Sequence, residues 1–418
     1  MNSRREVVIT GLGVVSPIGI GVAQLLEHVR GNRSGIRVWE SPESGMRLPA
    51  GLIERDFSGE FSKLELPYLD RCSQLAVLAA RQATTDAGIP QFDGFGQRAG
   101  LYYGSVRGGV KTEHDWVLQF YNEHKRYSRP YTLMACMLNA PSAHISIRHQ
   151  ILGPVMTHSS ACTSSGVAIG DAFRAIRDGY LDVALVGGAE SALTPAFMAS
   201  WGGLRALADV DPVDAGRSCR PFSRDRTGLV LSEGASFLLL ENREHALARG
   251  AGVYCRISGY GIASDGYHIG SPKAEGQIAT LQAALEDAGL RAADIDYLNA
   301  HATATPGGDP VEAGAIAAVF HDVPVSSTKA IHGHLLGAAS ALELAVTVLA
   351  VNHSFLPATA HLEEIDPACA LNHVARTPVF DRPLRHAMSL SAGFGGTNVA
   401  LVVSRDSGMR IKSYSGDA

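Results

Sequence analysis

Apolar positions fall along this chain in two rhythms. Short continuous runs predict buried strands, as at Ala99 to Gly104, Val183 to Gly188, Ile295 to Ala300 and Met388 to Gly396. Stripes at helical spacing lie between them: Ile169, Ala172, Phe173 and Ile176, and later Ile278, Leu281 and Leu285. From about His334 to Val351 the sequence is apolar nearly all round, which predicts a helix buried on every side. The pattern also occurs twice. Ile9 to Ser16 echoes Ile257 to Ser264, each read as an apolar strand running into a glycine turn. Thr85 to Ile89 echoes Glu286 to Leu290, with Gly88 and Gly289 placed to end helices. The prediction is therefore an α/β chain of two similar halves, 1–250 and 251–405, followed by a polar tail, 406–418, expected to fray.

Composition narrows the class. The chain has 418 residues, 46% of them hydrophobic and 18% charged, which excludes general disorder. A net charge of −5 excludes nucleic-acid binding through global charge. No uninterrupted apolar stretch reaches the roughly 18 residues of a membrane span. The start, Met1 to Ile18, mimics a signal peptide, but Thr10, Gly11 and Gly13 interrupt its apolar run. Six scattered cysteines without a C-x-x-C pair point to a reduced, cytoplasmic setting.

Four places carry candidate chemistry. Gly11 and Gly13 invite a dinucleotide reading, but Ser16 stands where the third glycine belongs, so a simple turn is preferred. Cys162 lies at a predicted helix start, where N–H groups lower a thiol's pKa; a buried structural cysteine is the plainer alternative. His301 ends a predicted strand, and His332 and His334 flank Gly333 with Lys329 close by. These histidines are read as catalytic, as structural, or as a metal set of His301, His332 and His334, the last disfavoured for want of a carboxylate or Cys at local spacing. The turn Gly393 to Asn398 is either a bare turn or a loop presenting N–H groups to an oxyanion.

Together these segments resemble the elongating, II-type β-ketoacyl-acyl-carrier-protein synthases of the thiolase-like superfamily. The markers are Ser160-Ala-Cys-Thr-Ser164, Asn299-Ala-His-Ala-Thr-Ala-Thr305, Ser327 to Ala339, and Gly393-Phe-Gly-Gly-Thr-Asn398. The resemblance implies a layered α-β-α-β-α fold of two pseudo-symmetric halves. It implies decarboxylative condensation of an acyl group on Cys162 with a malonyl carrier thioester, in fatty acid or polyketide/aryl-polyene elongation. In that scheme His301 and His334 assist decarboxylation, Lys329 and Glu343 support them, and Cys162, Phe394 and Gly395 form the oxyanion hole and gate. Thr303 and Thr305 contact the pantetheine arm, which arrives on the acyl carrier protein, so no resident cofactor and no metal is implied. The expected assembly is a homodimer, or a heterodimer with a related chain; a non-elongating chain-length subunit is the alternative, against which Cys162 speaks.

The sequence also departs from the family. Ala302 replaces the usual glycine of H-G-T, and Arg107 stands where a small apolar residue lines the acyl channel. Arg107 is therefore a substrate-binding candidate that either meets a polar or aromatic acyl group or turns away from the channel. Few basic residues precede Leu69, which leaves Lys63, Arg71 and Arg205 as carrier-docking candidates.

Overall fold

A computed structural model describes residues 4–41 and 44–412. Ten strands form one continuous path. Its order is Val325–Ser326, Tyr297–Asn299, His386–Ala392, Thr397–Ser404, Cys255–Ser264, Val7–Ser16, Gly234–Asn242, Val183–Glu190, Ala99–Gly104 and Val155–His158. Read outward from the centre, the two arms have the same order, so each half contributes five strands. The halves meet where Val7, Val8 and Ile9 pair antiparallel with Ile257, Arg256 and Cys255.

Alternation along the strands builds the layers. Ala184, Val186, Leu238 and Leu240 point to one core with Val399, Leu401 and Val403 of the other half. That core holds two central helices, Ser164–Arg177 and Ala339–His353. The intervening residues Val183, Leu185, Phe237 and Leu239 face the outer helix Arg71–Ala87. In the second half Met388, Leu390, Ala400 and Val402 face the outer helix Ala274–Ala288 in the same way. A side-chain period of two on a strand thus separates inner from outer core. The predicted all-apolar helix is this inner one: Ala339 to Val351 are buried without interruption. The segment Leu336–His353 is long and apolar enough to cross a membrane, but 89% of it is buried inside the protein.

The glycine echo has a different cause from the one expected. Gly11 and Gly13 do not open a turn; they lie inside the strand Val7–Ser16. A Cβ on Gly11 would stand 2.1 Å from the Ala83 carbonyl oxygen, and one on Gly13 would stand 2.0 Å from that of Ala79. Gly259 and Gly261 meet Ala284 and Thr280 of the other outer helix at 2.4 and 2.1 Å. In both halves the helix backbone rests directly on the strand, and only glycine leaves room for it. The expected fraying after Ser404 is also corrected as far as residue 412. Ile411 bridges Val253, and Lys412 Nζ reaches Asp86 Oδ1 at 2.9 Å. Residues 413–418 of the expected tail lie outside the described residues.

Gly13→Ala should lower unfolding stability by about 1–3 kcal/mol in a denaturant titration, as overpacking does. Gly59→Ala, with nothing near its Cβ position, should change it by less than about 0.5 kcal/mol.

Candidate active site

Three loops converge at the end of the inner layer. The first follows the strand Val155–His158 and precedes the central helix Ser164–Arg177. It holds Ala161 at φ +53°, a conformation that costs a non-glycine residue about 1 kcal/mol or more. Local hydrogen bonds hold it there. Ser164 Oγ donates to the Ala161 carbonyl at 2.6 Å and accepts from the Ser160 N–H at 3.0 Å. The kink presents Cys162 at the floor of a cavity of about 500 Å³.

The second loop follows Tyr297–Asn299 and carries His301, Thr303 and Thr305, with Ala304 at φ +66°. The third spans Lys329 to Leu336, with Leu336 at φ +48°. It places Lys329 and His334 before the second central helix, whose second turn supplies Glu343. Cys162, His301 and His334 each direct one ligand atom to a common point, all within 4.8 Å of one another. The two imidazole rings stand edge to face, 5.2 Å apart at 84°.

Lys329 and Glu343 are fully buried beneath them and form an ion pair. Lys329 Nζ also lies 3.3 Å from His301 Nδ1. An ammonium can only donate, so Nδ1 accepts and the ring hydrogen belongs on Nε2. Burial, reinforced by the Lys329 charge, pushes both His301 and His334 well below the usual histidine range. Both imidazoles are therefore neutral at pH 7. Neither nitrogen of His334 has a hydrogen-bond partner among the described residues.

The thiol does not behave as its place before a helix led one to expect. Burial pushes Cys162 up to about 11, against the pull of Lys329 and of the Phe394 backbone N–H. The helix begins only at Ser164, and desolvation outweighs its N-terminus. The resting group is a thiol.

Other expected residues divide. Thr303, Thr305, Phe394 and Arg205 line the cavity. Gly395 has φ +87°, and its N–H donates to Ile269 O at 2.8 Å, which joins the glycine loop to the 265–273 loop over the mouth. Arg107 does not line the cavity. Its side chain is half exposed, lies over the Phe197 ring and reaches Glu113 at 3.7 Å. Arg71 is not free for docking, because its guanidinium is bidentate on Glu233 at 2.7 and 2.8 Å. Lys63 is exposed. His332 turns away from the proposed metal set, its ring nitrogens on Gly333 O and Thr328 Oγ1. Cys162 takes its place in the only three-ligand cluster found among the described residues. The Lys329 ammonium against His301 opposes a cation there.

The structure adds carboxylates that sequence reasoning missed. Glu312 accepts from the N–H groups of His301 and Ala302 at 2.6 and 2.8 Å, and burial raises its pKa to about 8. Glu190 accepts from Val106 and Arg107 N–H at 2.8 and 3.1 Å and is pushed up to about 7 by burial. Glu190 is the one acid of an apolar strand, and that isolation is the signal that could have found it; Glu312 shares its helix with Asp309 and carries no such signal.

Residues 4–246 match the family described as "Beta-ketoacyl synthase, N-terminal domain", and residues 254–363 match "Beta-ketoacyl synthase, C-terminal domain". The chain belongs to the beta-ketoacyl synthase family. It is 36% identical over 412 residues to 3-oxoacyl-[acyl-carrier-protein] synthase 2 of Staphylococcus aureus (strain N315), covering 96% of this chain and 99% of that one. It superposes on the ishigamide ketosynthase/chain length factor with TM-score 0.89 and 31% identity, over 97% of this chain and 100% of that one. A ketosynthase solved bound to the hexaketide, in complex with its type II PKS acyl-carrier protein, gives TM-score 0.88 and 26% identity, again over 97% and 100%. This beta-ketoacyl synthase therefore shares its fold with chains that work in complexes.

A thiol held near 11 implies that alkylation of Cys162 by iodoacetamide keeps accelerating above pH 9. An ordinary cysteine levels off near its pKa of about 8.5. Lys329→Met removes a charge that lowers the thiol's pKa, so it should slow the reaction at pH 8 by about tenfold for each unit by which that pKa rises. Stopped-time mass spectrometry of the labelled peptide measures both.

Proposed function

We propose that this chain is a β-ketoacyl-acyl-carrier-protein synthase that elongates acyl chains by decarboxylative condensation. The observation that carries the reading is the convergence of Cys162, His301 and His334 within 4.8 Å at the floor of the cavity.

In the first step Cys162 Sγ bonds to the acyl carbon of a carrier thioester. The carbon–sulfur bond to the pantetheine arm breaks, and the thiol proton leaves with the pantetheine sulfur. His334, neutral and unpartnered, is placed to relay that proton. In the second step a malonyl thioester occupies the vacated arm site beside Thr303 and Thr305. Its carboxylate departs as CO2, and the electron pair of the broken bond becomes an enolate. His301 Nε2–H and a ring N–H of His334 stabilise the enolate oxygen, and neutral donors suit this task because they need not give up their proton. The enolate carbon attacks the acyl-Cys162 carbonyl, whose oxyanion meets the N–H groups of Cys162 and Phe394. Collapse releases the β-ketoacyl thioester, and Cys162 recovers a proton from water.

The pantetheine arm is thus a travelling substrate, and the scheme uses no resident cofactor or metal. Lys63 and Arg205, both exposed, are the basic groups left for carrier docking. A dimer fits one face of the molecule. Phe120, Tyr121, Tyr127, Leu133 and Met134 are exposed there, and Val155 and Met156 lie exposed on the open edge strand. Such a face calls for a cover, which a second copy or a related chain supplies. Six unpaired cysteines accord with a cytoplasmic setting. An intact nucleophile favours an elongating enzyme over a chain-length subunit.

Incubation with acyl-carrier thioesters should add the acyl mass to the protein, and Cys162→Ala should abolish the gain. His301→Ala should keep acylation but lower CO2 release from malonyl carrier by about 10²–10³-fold, and His334→Ala should slow both steps. Acylation that survives Cys162→Ala would refute the scheme.

A further inference from the structure

Arg226 is a buried cation outside the catalytic cluster. Its side chain is 6% exposed, and its donors serve three loops at once. Nη1 meets Asp366 Oδ2 at 2.6 Å and the Ser223 carbonyl at 2.8 Å. Nε donates to the Thr305 carbonyl at 3.1 Å, and Nη2 donates to the Pro306 carbonyl at 3.0 Å. A planar fork reaches two successive carbonyls and a carboxylate together; the point charge of a lysine does not. The Asp309 carboxylate lies on the other side. Burial raises its pKa to about 6, and Arg226 and the N–H groups of Phe222, Ala304 and Thr305 oppose that rise. Thr305 is thus set between a carboxylate facing its N–H and a guanidinium holding its carbonyl.

Strain marks both sides of this clamp. Ala304 has φ +66° and Phe222 has φ +63°, conformations that non-glycine residues keep only where the surroundings impose them. The same two acidic residues hold Phe222: its N–H donates to Asp309 Oδ2 at 2.8 Å, and its carbonyl accepts from the Asp366 N–H at 3.0 Å. His301 and Ala302, earlier in the loop, are held separately. Glu312 takes their N–H groups, and Ser327 Oγ donates to the Ala302 carbonyl at 2.8 Å. One loop therefore has two anchors, one under the reacting histidine and one under the threonines. Thr303 Oγ1 and Thr305 Oγ1 lie 3.3 Å apart, and the Gly308 N–H donates to Thr305 Oγ1 at 3.2 Å. Of the two hydroxyl hydrogens one lies between the pair, and the other can be given to a ligand in the cavity that both residues line.

We propose that Arg226 is a positioning residue for the travelling pantetheine arm: it aims the Thr303 and Thr305 hydroxyls and so sets how tightly both carrier thioesters bind. The inference rests on the condensing-enzyme reading above, in which the arm lies beside those threonines. Arg226 touches neither substrate nor the reacting atoms. A hydroxyl aimed in advance needs little ordering when its ligand arrives. Once the Thr305 and Pro306 carbonyls are released, the strained Ala304 relaxes and the hydroxyls lose their aim. The acyl and malonyl donors arrive on the same kind of arm, so both are affected alike. The chemistry is spared, because His301 keeps its own anchors on Glu312 and Ser327.

The test is steady-state condensation by the whole chain, with the acyl carrier and the malonyl carrier varied in turn. Arg226→Lys keeps the charge beside Asp366 and Asp309 but not the fork. It should raise KM for both donors by about tenfold, the size of one or two lost hydrogen bonds, with kcat within about twofold of the wild type. Asp366→Asn, which leaves Arg226 in place but weakens its anchor, should raise both KM values in the same direction and by less. Alkylation of Cys162 by iodoacetamide, which carries no arm, should keep its wild-type rate and shows that each variant has folded. In a Thr303→Val, Thr305→Val background, Arg226→Lys should change KM by less than about twofold, since it acts through those hydroxyls. Unchanged KM values in both single variants, a loss of kcat and alkylation in place of the KM rise, or full additivity with the valine pair would overturn the proposal and leave the condensing reading intact. A wild type that gains no Cys162-dependent acyl mass from any carrier thioester would overturn both.

Discussion

The site depends on one buried charge. Lys329 and Glu343 form an ion pair with no exposed surface, under two imidazoles and a thiol. Removing one member of such a pair costs roughly 3–5 kcal/mol, because its partner is left charged and desolvated. The pair exists because the inner helix enters the core with a single acid among apolar residues, and the loop before it folds a lysine back over that acid. Burial alone would drive His301 and His334 to neutrality; the Lys329 charge adds to that push and fixes the His301 tautomer. The same charge opposes burial at Cys162. Burial thus sets three protonation states and one cation biases each of them, giving two neutral donors beside a thiol that ionises only as it reacts.

The pseudo-symmetric frame explains why these groups meet. Each half leads a strand through a strained loop into a central helix, and the two central helices pack together between the halves. Cys162 occupies that loop in the first half, and Lys329 and His334 occupy it in the second. His301 comes from the neighbouring strand end of the second half. The residues therefore converge from opposite arms of one sheet, although 172 residues separate Cys162 from His334 along the chain. Rigidity comes from the layers, where outer helices sit on strand glycines with no intervening side chain. Left-handed backbone at Ala161, Ala304 and Leu336 shows where that rigid frame holds the chain in less favourable conformations to aim side chains.

Much of this was legible in the sequence. The repeated glycine pairs, the two glycine helix ends and the all-apolar helix located both halves and the inner layer. Ala99–Gly104 was read to the residue because its apolar run is bounded on both sides. The motifs around Cys162, His301, Lys329, His334 and Phe394 located the groups that converge. What escaped depends on long-range packing. Periodicity shows that Gly11 and Gly13 are special but cannot show a helix carbonyl resting on them, so a turn was the natural reading. Arg71 looked like a surface cation because its partner, Glu233, lies 162 positions away in sequence. Arg107 looked like a channel residue because the aromatic ring it rests on belongs to a helix ninety residues later. The pKa of Cys162 was misjudged because sequence shows a helix start but not the depth of burial.

The most direct test of the central claim is the titration of His301 and His334 by NMR of protein carrying isotope-labelled histidine, with single His→Ala variants for assignment. The account predicts that neither ring gains a proton between about pH 5.5 and 8.5, and that His301 is the Nε2–H tautomer throughout. A His301 or His334 that titrates near the ordinary value of about 6.5 would contradict it. Burial and the Lys329 charge would then not hold the two imidazoles neutral in the resting site.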